Sequence, residues 1–113
     1  MLASQSRISE SKRIEEIKEK GRIFQSKNFG VAILKRDNTL PPKFAFVISK
    51  KISKMAVNRN RINRSLNEGV RRNLRDIPSG YDFVFLAKKS ISDRTTEEIL
   101  DELRQFFLKF KSG

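Results

Sequence analysis

Between Asn58 and Arg75 apolar residues return every four positions, at Ile62, Leu66, Val70 and Leu74. Only a helix brings that spacing to one side, and it does so as a narrow stripe. A helix with so thin an apolar face draws its stability from whatever covers that face. The opposite arc holds Arg61, Arg64, Glu68, Arg71, Arg72 and Arg75, while Asn63 and Asn67 flank the stripe. Arg59 falls on the apolar side of the wheel. It is therefore expected at or before the first turn, reaching off the helix end, with Asn58 or Asn60 as the cap. One side of the helix must pack. The other offers guanidinium groups that only Glu68 opposes, through pairs with Arg64, Arg71 or Arg72.

The neighbouring segments supply a sheet to pack on. "FGVAIL", Phe29 to Leu34, is apolar and β-branched and predicts a strand, with a shorter extended piece, "RIFQS", before it. "FAFVISK" predicts a second clear strand over Phe44–Lys50, with Phe44, Phe46 and Ile48 on one face and Ala45, Val47 and Ser49 on the other. Pro41 and Pro42 place a loop between the two. "YDFVFLAK", from Tyr81, is almost continuously apolar and predicts a central strand. A polar helix is expected from Ser9 to Lys20, capped by Ser9 or Ser11 and ended by Gly21 in a left-handed conformation. A last amphipathic helix opens on a Thr95/Glu98 capping box and buries Ile99, Leu103, Phe106, Phe107 and Phe110. This order predicts an α+β fold, a two-layer sandwich in one domain spanning residues 1–113, with residues 1–8 disordered.

Charge then narrows the function. The 113 residues carry a formal net charge of +12. From Arg22 to Tyr81 fourteen Lys and Arg face only Asp37, Glu68 and Asp76. From Lys50 to Arg75 nine basic residues face one acid. A field this localised attracts polyanions, and arginine forks pair with phosphate oxygens and stack on bases. Catalysis by the chain alone is not expected. There is no His or Cys, and the acids lie mainly on the two terminal helices, where dipoles and capping account for them. No metal site is expected on the protein. No apolar run approaches the roughly 20 residues of a membrane span, and the first residues lack a signal peptide's apolar stretch, so a cytoplasmic protein is expected.

"SKK" at Ser49–Lys51, "AVNRNRINR" at Ala56–Arg64, Glu68 to Arg71, and "GYDFVFLAKK" at Gly80–Lys89 together resemble the signature of the bacterial ribonuclease P protein subunit. The similarity runs from about Gly21 to Phe110. It implies the order α-β-β-β-α-β-α, ribosomal-protein-domain-like, with a left-handed βαβ crossover. It also implies a small basic cofactor of a catalytic RNA, which removes the 5′ leader of precursor tRNA using Mg²⁺ held by the RNA. By position, Lys50, Lys51, Arg59, Asn60, Arg61, Arg64 and Arg71 would touch that RNA, and Lys54 and Arg72 extend the same face. Lys27, Phe29, Lys88 and Lys89 would serve the leader side. The pattern departs at Asn63 and Asn67, where the family has cations, and at Ser53, where it has Gly. It departs again at Ile14, Lys18 and Ala32, where aromatic residues line the family's leader cleft; Phe24 and Phe29 are the rings available to compensate. A structural RNA binder of ribosomal type would share this basic face. A DNA-binding module with this helix in the major groove is opposed, because the helix is flanked by strands and has no helix-turn-helix partner, and no DNA is expected.

Overall fold

A computed structural model describes residues 2–112, with side chains from Leu2 to Phe110; Met1 and Gly113 lie outside the described residues. The elements in order are α1 (Ser11–Lys20), β1 (Arg22–Gln25), β2 (Phe29–Lys35), β3 (Lys43–Val47), α2 (Ala56–Asn73), β4 (Tyr81–Ala87) and α3 (Thr96–Ser112). Short 3₁₀ turns cover Ser4–Ser6, Leu74–Asp76 and Lys89–Asp93. The strands form one sheet in the order β1-β2-β4-β3. β2 is antiparallel to β1 and to β4, whereas β3 runs parallel to β4. Two parallel neighbours need a crossover, and α2 is that crossover.

Strand alternation sorts the core into two sides. Phe29, Val31, Ile33, Phe44, Phe83 and Phe85 meet Ile62, Leu66 and Val70 of α2 and Ile99, Leu103 and Phe107 of α3. The register sets Phe44 beside Phe83 and Phe46 beside Phe85, and these rings stack at 5.2 and 5.4 Å. Ala32, Ala45 and Val84 point the other way, where Ile17 of α1 covers them and Ile8 and Ile14 pack alongside. The expected sandwich is present, with α1 on the face opposite α2 and α3.

α2 and α3 approach closely because α2 turns small residues toward α3. A Cβ on Gly69 would lie 2.2 Å from Leu103 Cδ1. Ser65 is buried, and its hydroxyl bonds Arg61 O at 2.8 Å and Thr96 Oγ1 at 3.0 Å. The packed face of α2 is therefore wider than its apolar stripe. α3 starts as expected: Thr95 N donates to Glu98 Oε1 at 3.0 Å, and Glu98 N donates to Thr95 Oγ1 at 3.1 Å.

Three expectations change. α1 starts at Ser11 after Glu10, with no side-chain cap, and Gly21 has φ −74°, not a left-handed value. Gly21 is required by space instead. A Cβ there would sit 2.5 Å from Ile17 O and 2.9 Å from Ile33 O, where the helix end crosses β2. Residues 2–8, expected to be disordered, are placed on the sheet. Leu2 is buried, Arg7 bridges Phe44, and Ile8 N donates to Phe44 O at 2.8 Å.

Asp82 is the buried charge that ties the layers together. It sits on the α1 side of β4, 2 % exposed. Its Oδ2 accepts from Arg13 Nε and Nη2 of α1 at 2.9 and 2.7 Å, and its Oδ1 accepts from Arg36 Nη1. Arg36 also donates to Tyr81 O, Leu40 O and Pro41 O at 3.0, 2.7 and 2.8 Å, which organises the loop between β2 and β3.

Both features are open to mutation. Asp82→Asn is expected to lower unfolding free energy in urea by about 3 kcal/mol, because two partly buried guanidiniums would be left without their counter-charge. Gly21→Ala is expected to cost about 1–3 kcal/mol by crowding two carbonyls. Gly21→Asn should do no better in the same titration; a left-handed cap would have tolerated Asn.

Candidate nucleic-acid interface

The cationic face is assembled from the end of β3, the turn after it and α2. Lys50, Lys51 and Lys54 are exposed on that turn. α2 begins at Ala56, two residues before Asn58, with Met55 at the cap position and no side-chain cap. Asn58 N and Arg59 N instead donate to Met55 O at 3.1 Å each. Neither Asn58 nor Asn60 caps the helix. Asn60 is exposed in the first turn, and Arg59 reaches back over the helix start to donate to Ser53 O at 2.8 Å. A helix start with no side-chain cap, ringed by Lys and Arg, favours an anion.

Asn58 has a different task. Its Oδ1 accepts from Arg61 Nε and Nη2 at 3.2 and 3.0 Å, while its Nδ2 donates to Ser92 Oγ at 3.2 Å and to Ser92 O at 3.3 Å. Arg61 Nη2 also donates to Ser92 O at 3.3 Å. Arg61 is thus held, half-buried, between α2 and the turn after β4. The i,i+3 spacing of Asn58 and Arg61 was the available sequence signal; Ser92 offered none.

Glu68 pairs with Arg71 and Arg72 and leaves Arg64 exposed. Arg71 donates through Nε and Nη2 at 2.8 and 2.6 Å, and Arg72 through Nε at 2.9 Å. Arg64 precedes Glu68 by four residues, the less favourable order for a helical ion pair. The Arg71 hydrogen bonds, then those of Arg72, hold the Glu68 carboxyl down at about 2. Arg64, Lys50, Lys51 and Lys54 have no acidic partner among the described residues. Asn63 and Asn67, where cations were expected from the resemblance, bond to each other: Asn67 Nδ2 donates to Asn63 O at 2.7 Å, and Asn67 is buried.

The second group of expected residues is split. Lys27, Lys88 and Lys89 meet at one end of the sheet. Lys88 Nζ donates to Ser26 O at 2.6 Å, Ser90 Oγ donates to Lys27 O at 3.3 Å, and Lys27 and Lys89 are exposed. Phe29 does not join them. It is fully buried, edge-on to Phe85 at 5.7 Å and to Phe106 at 6.1 Å, so it is a core residue with no face for a nucleotide. Phe24 also points to the α3 side, against Phe106 and Phe110. Neither ring reaches the α1 side, where Ile14 and Ala32 lie; Lys18 of α1 is exposed and pairs with Glu15. The sheet alternation decides this: Phe24 and Phe29 occupy positions whose side chains face α3.

Glu68 competes with any phosphate for Arg71 and Arg72. Glu68→Gln is expected to raise RNA affinity several-fold at low salt and to steepen the salt dependence. In the folded protein the Glu68 carboxyl should stay ionised down to about pH 2 by NMR. The sign follows from the depressed value: the pair's contribution is present above the ordinary carboxylate range and is lost as pH falls toward 2.

Comparison with known proteins agrees with this geometry. The family model described as Ribonuclease P matches residues 2–111. The ribonuclease P protein component of Pseudanabaena is 30 % identical over 111 residues, covering 98 % of this chain and 96 % of the relative. That of Carboxydothermus hydrogenoformans is 35 % identical over 97 residues, covering 85 % and 83 %. The solved Staphylococcus aureus RNase P protein superposes with a TM-score of 0.84 at 26 % identity, covering 93 % of this chain and 94 % of that one. With the fold and a family match over residues 2–111 in agreement, the chain belongs to the ribonuclease P protein family.

Proposed function

We propose that this chain is the protein subunit of a ribonuclease P holoenzyme and binds its catalytic RNA through the α2 face. Lys50, Lys51, Lys54, Arg59, Asn60, Arg61, Arg64, Arg71 and Arg72 form the contact, and the precursor-tRNA leader passes the end of the sheet at Lys27, Lys88 and Lys89. The RNA, with its own Mg²⁺, performs the cleavage in the cytoplasm. The protein supplies charge and position. The observation that carries this reading is Arg64 with Lys50, Lys51 and Lys54, all exposed and unopposed among the described residues, beside a helix start without a side-chain cap. The absence of aromatic residues from the described apolar cluster under α1 supports a leader contact that is mainly electrostatic.

Reconstitution tests it. Added to a bacterial ribonuclease P RNA at low Mg²⁺, the chain is expected to restore leader removal. Arg61→Ala with Arg64→Ala should keep a native circular dichroism spectrum, weaken RNA binding and flatten the salt dependence by roughly 0.7–0.9 for each phosphate no longer neutralised. Native spectra with unchanged affinity would place the RNA elsewhere.

A further inference from the structure

Phe24, which fails to reach the α1 side, joins other rings on the other side of the sheet, in an open groove. It holds about 920 Å³ and lies between β1 and the C-terminal half of α3. That volume is within the range of small-ligand sites. Phe24, Tyr81, Phe106 and Phe110 line it, each only partly buried. Phe110 stands edge-on to Phe24 at 6.2 Å and to Tyr81 at 5.8 Å, so the rings form one continuous floor. The rim is cationic: Lys20, Arg22, Lys35, Arg75 and Lys109 are all exposed, and Asp76 is the one acid among the described lining residues. Lys20 shares its charge with Glu16 at 3.5 Å.

We propose that this groove binds a single-stranded segment of RNA, its bases stacked on the aromatic floor and its phosphates on the rim. Three observations select this occupant. First, Arg22 lies over the Phe24 ring with its guanidinium carbon 5.4 Å from the centroid, and a guanidinium plane above a ring is a stacking platform for a base. Second, the rim is almost purely basic, which complements a phosphate backbone. Third, Arg75, two residues beyond the end of α2, lines the groove, so the groove lies next to the C-terminal end of the basic helix. The identity of the polyanion as RNA rests on the function proposed for α2. A duplex does not fit the chemistry, because its bases are already stacked and offer no free faces.

Tyr81 makes the test specific, because it is the only Tyr in the chain. With 3-fluorotyrosine incorporated, the full chain has one ¹⁹F resonance, and that resonance reports the groove. A six-nucleotide single-stranded RNA is expected to shift it saturably, and equally so in the Arg61→Ala/Arg64→Ala variant. Arg22→Gln with Lys35→Gln and Lys109→Gln should weaken that binding about tenfold and lower the salt slope by about 2, at roughly 0.7 per neutralised phosphate on a single strand. A resonance that does not move, while the same protein still binds ribonuclease P RNA, would overturn the groove and leave the α2 reading standing. An equal shift with the matching duplex, or with polyglutamate, would also overturn it by showing general attraction to the rim. Loss of ribonuclease P RNA binding in the Arg61/Arg64 variant with the oligonucleotide shift intact would support both sites separately.

Discussion

β4 must be covered on every side, and the rest of the structure is arranged to do so. Its edges are bonded to β2 and β3, and its faces meet α1 on one side and α2 with α3 on the other. Within β4 the buried residues Phe83, Val84 and Phe85 are apolar, and Asp82 is the charged exception. A carboxylate there is tolerable only with counter-charges and filled hydrogen-bond sites. Arg13 and Arg36 provide both, from elements far apart in the chain. The pair that neutralises Asp82 therefore also fixes where α1 and the β2–β3 loop sit.

That arrangement separates two kinds of arginine. Arg13 and Arg36 are consumed by the fold. Those on α2 sit on a surface with one acid, and that acid takes only the last two, Arg71 and Arg72. The result is a gradient along the helix: open cations near its start, a screened pair near its end. A partner arriving at the start meets the stronger local field, which favours engagement from that end.

Much of this was legible in the residues. The continuous apolar run of β4, the alternation in β3 and the Thr95/Glu98 box each rest on short-range geometry, and each is found, although β3 ends at Val47, three residues short of the expected Lys50. The arginine arc of α2 was legible for the same reason. Features that depend on distant partners were not. Asp82 reads as an isolated acid until Arg13 and Arg36 are brought to it. Gly21 reads as a cap, although its role is to let a helix end cross β2. Ser65 and Gly69 carry no hydrophobic signal, yet they set how closely α2 and α3 approach. Phe24 and Phe29 were readable as aromatic, but which side of the sheet they face depends on register.

The Asn58–Arg61–Ser92 knot bears on how quickly and how selectively the helix can act. A free arginine gives up as much as about 2 kcal/mol of rotamer freedom when a ligand immobilises it. Arg61 has surrendered part of that freedom before any partner arrives, and its bonds of 3.0–3.3 Å are long enough to be exchanged for shorter charged ones. If the α2 face docks RNA as proposed, Arg61 would act as a pre-set prong, and part of the entropic penalty of docking would fall on folding instead of association.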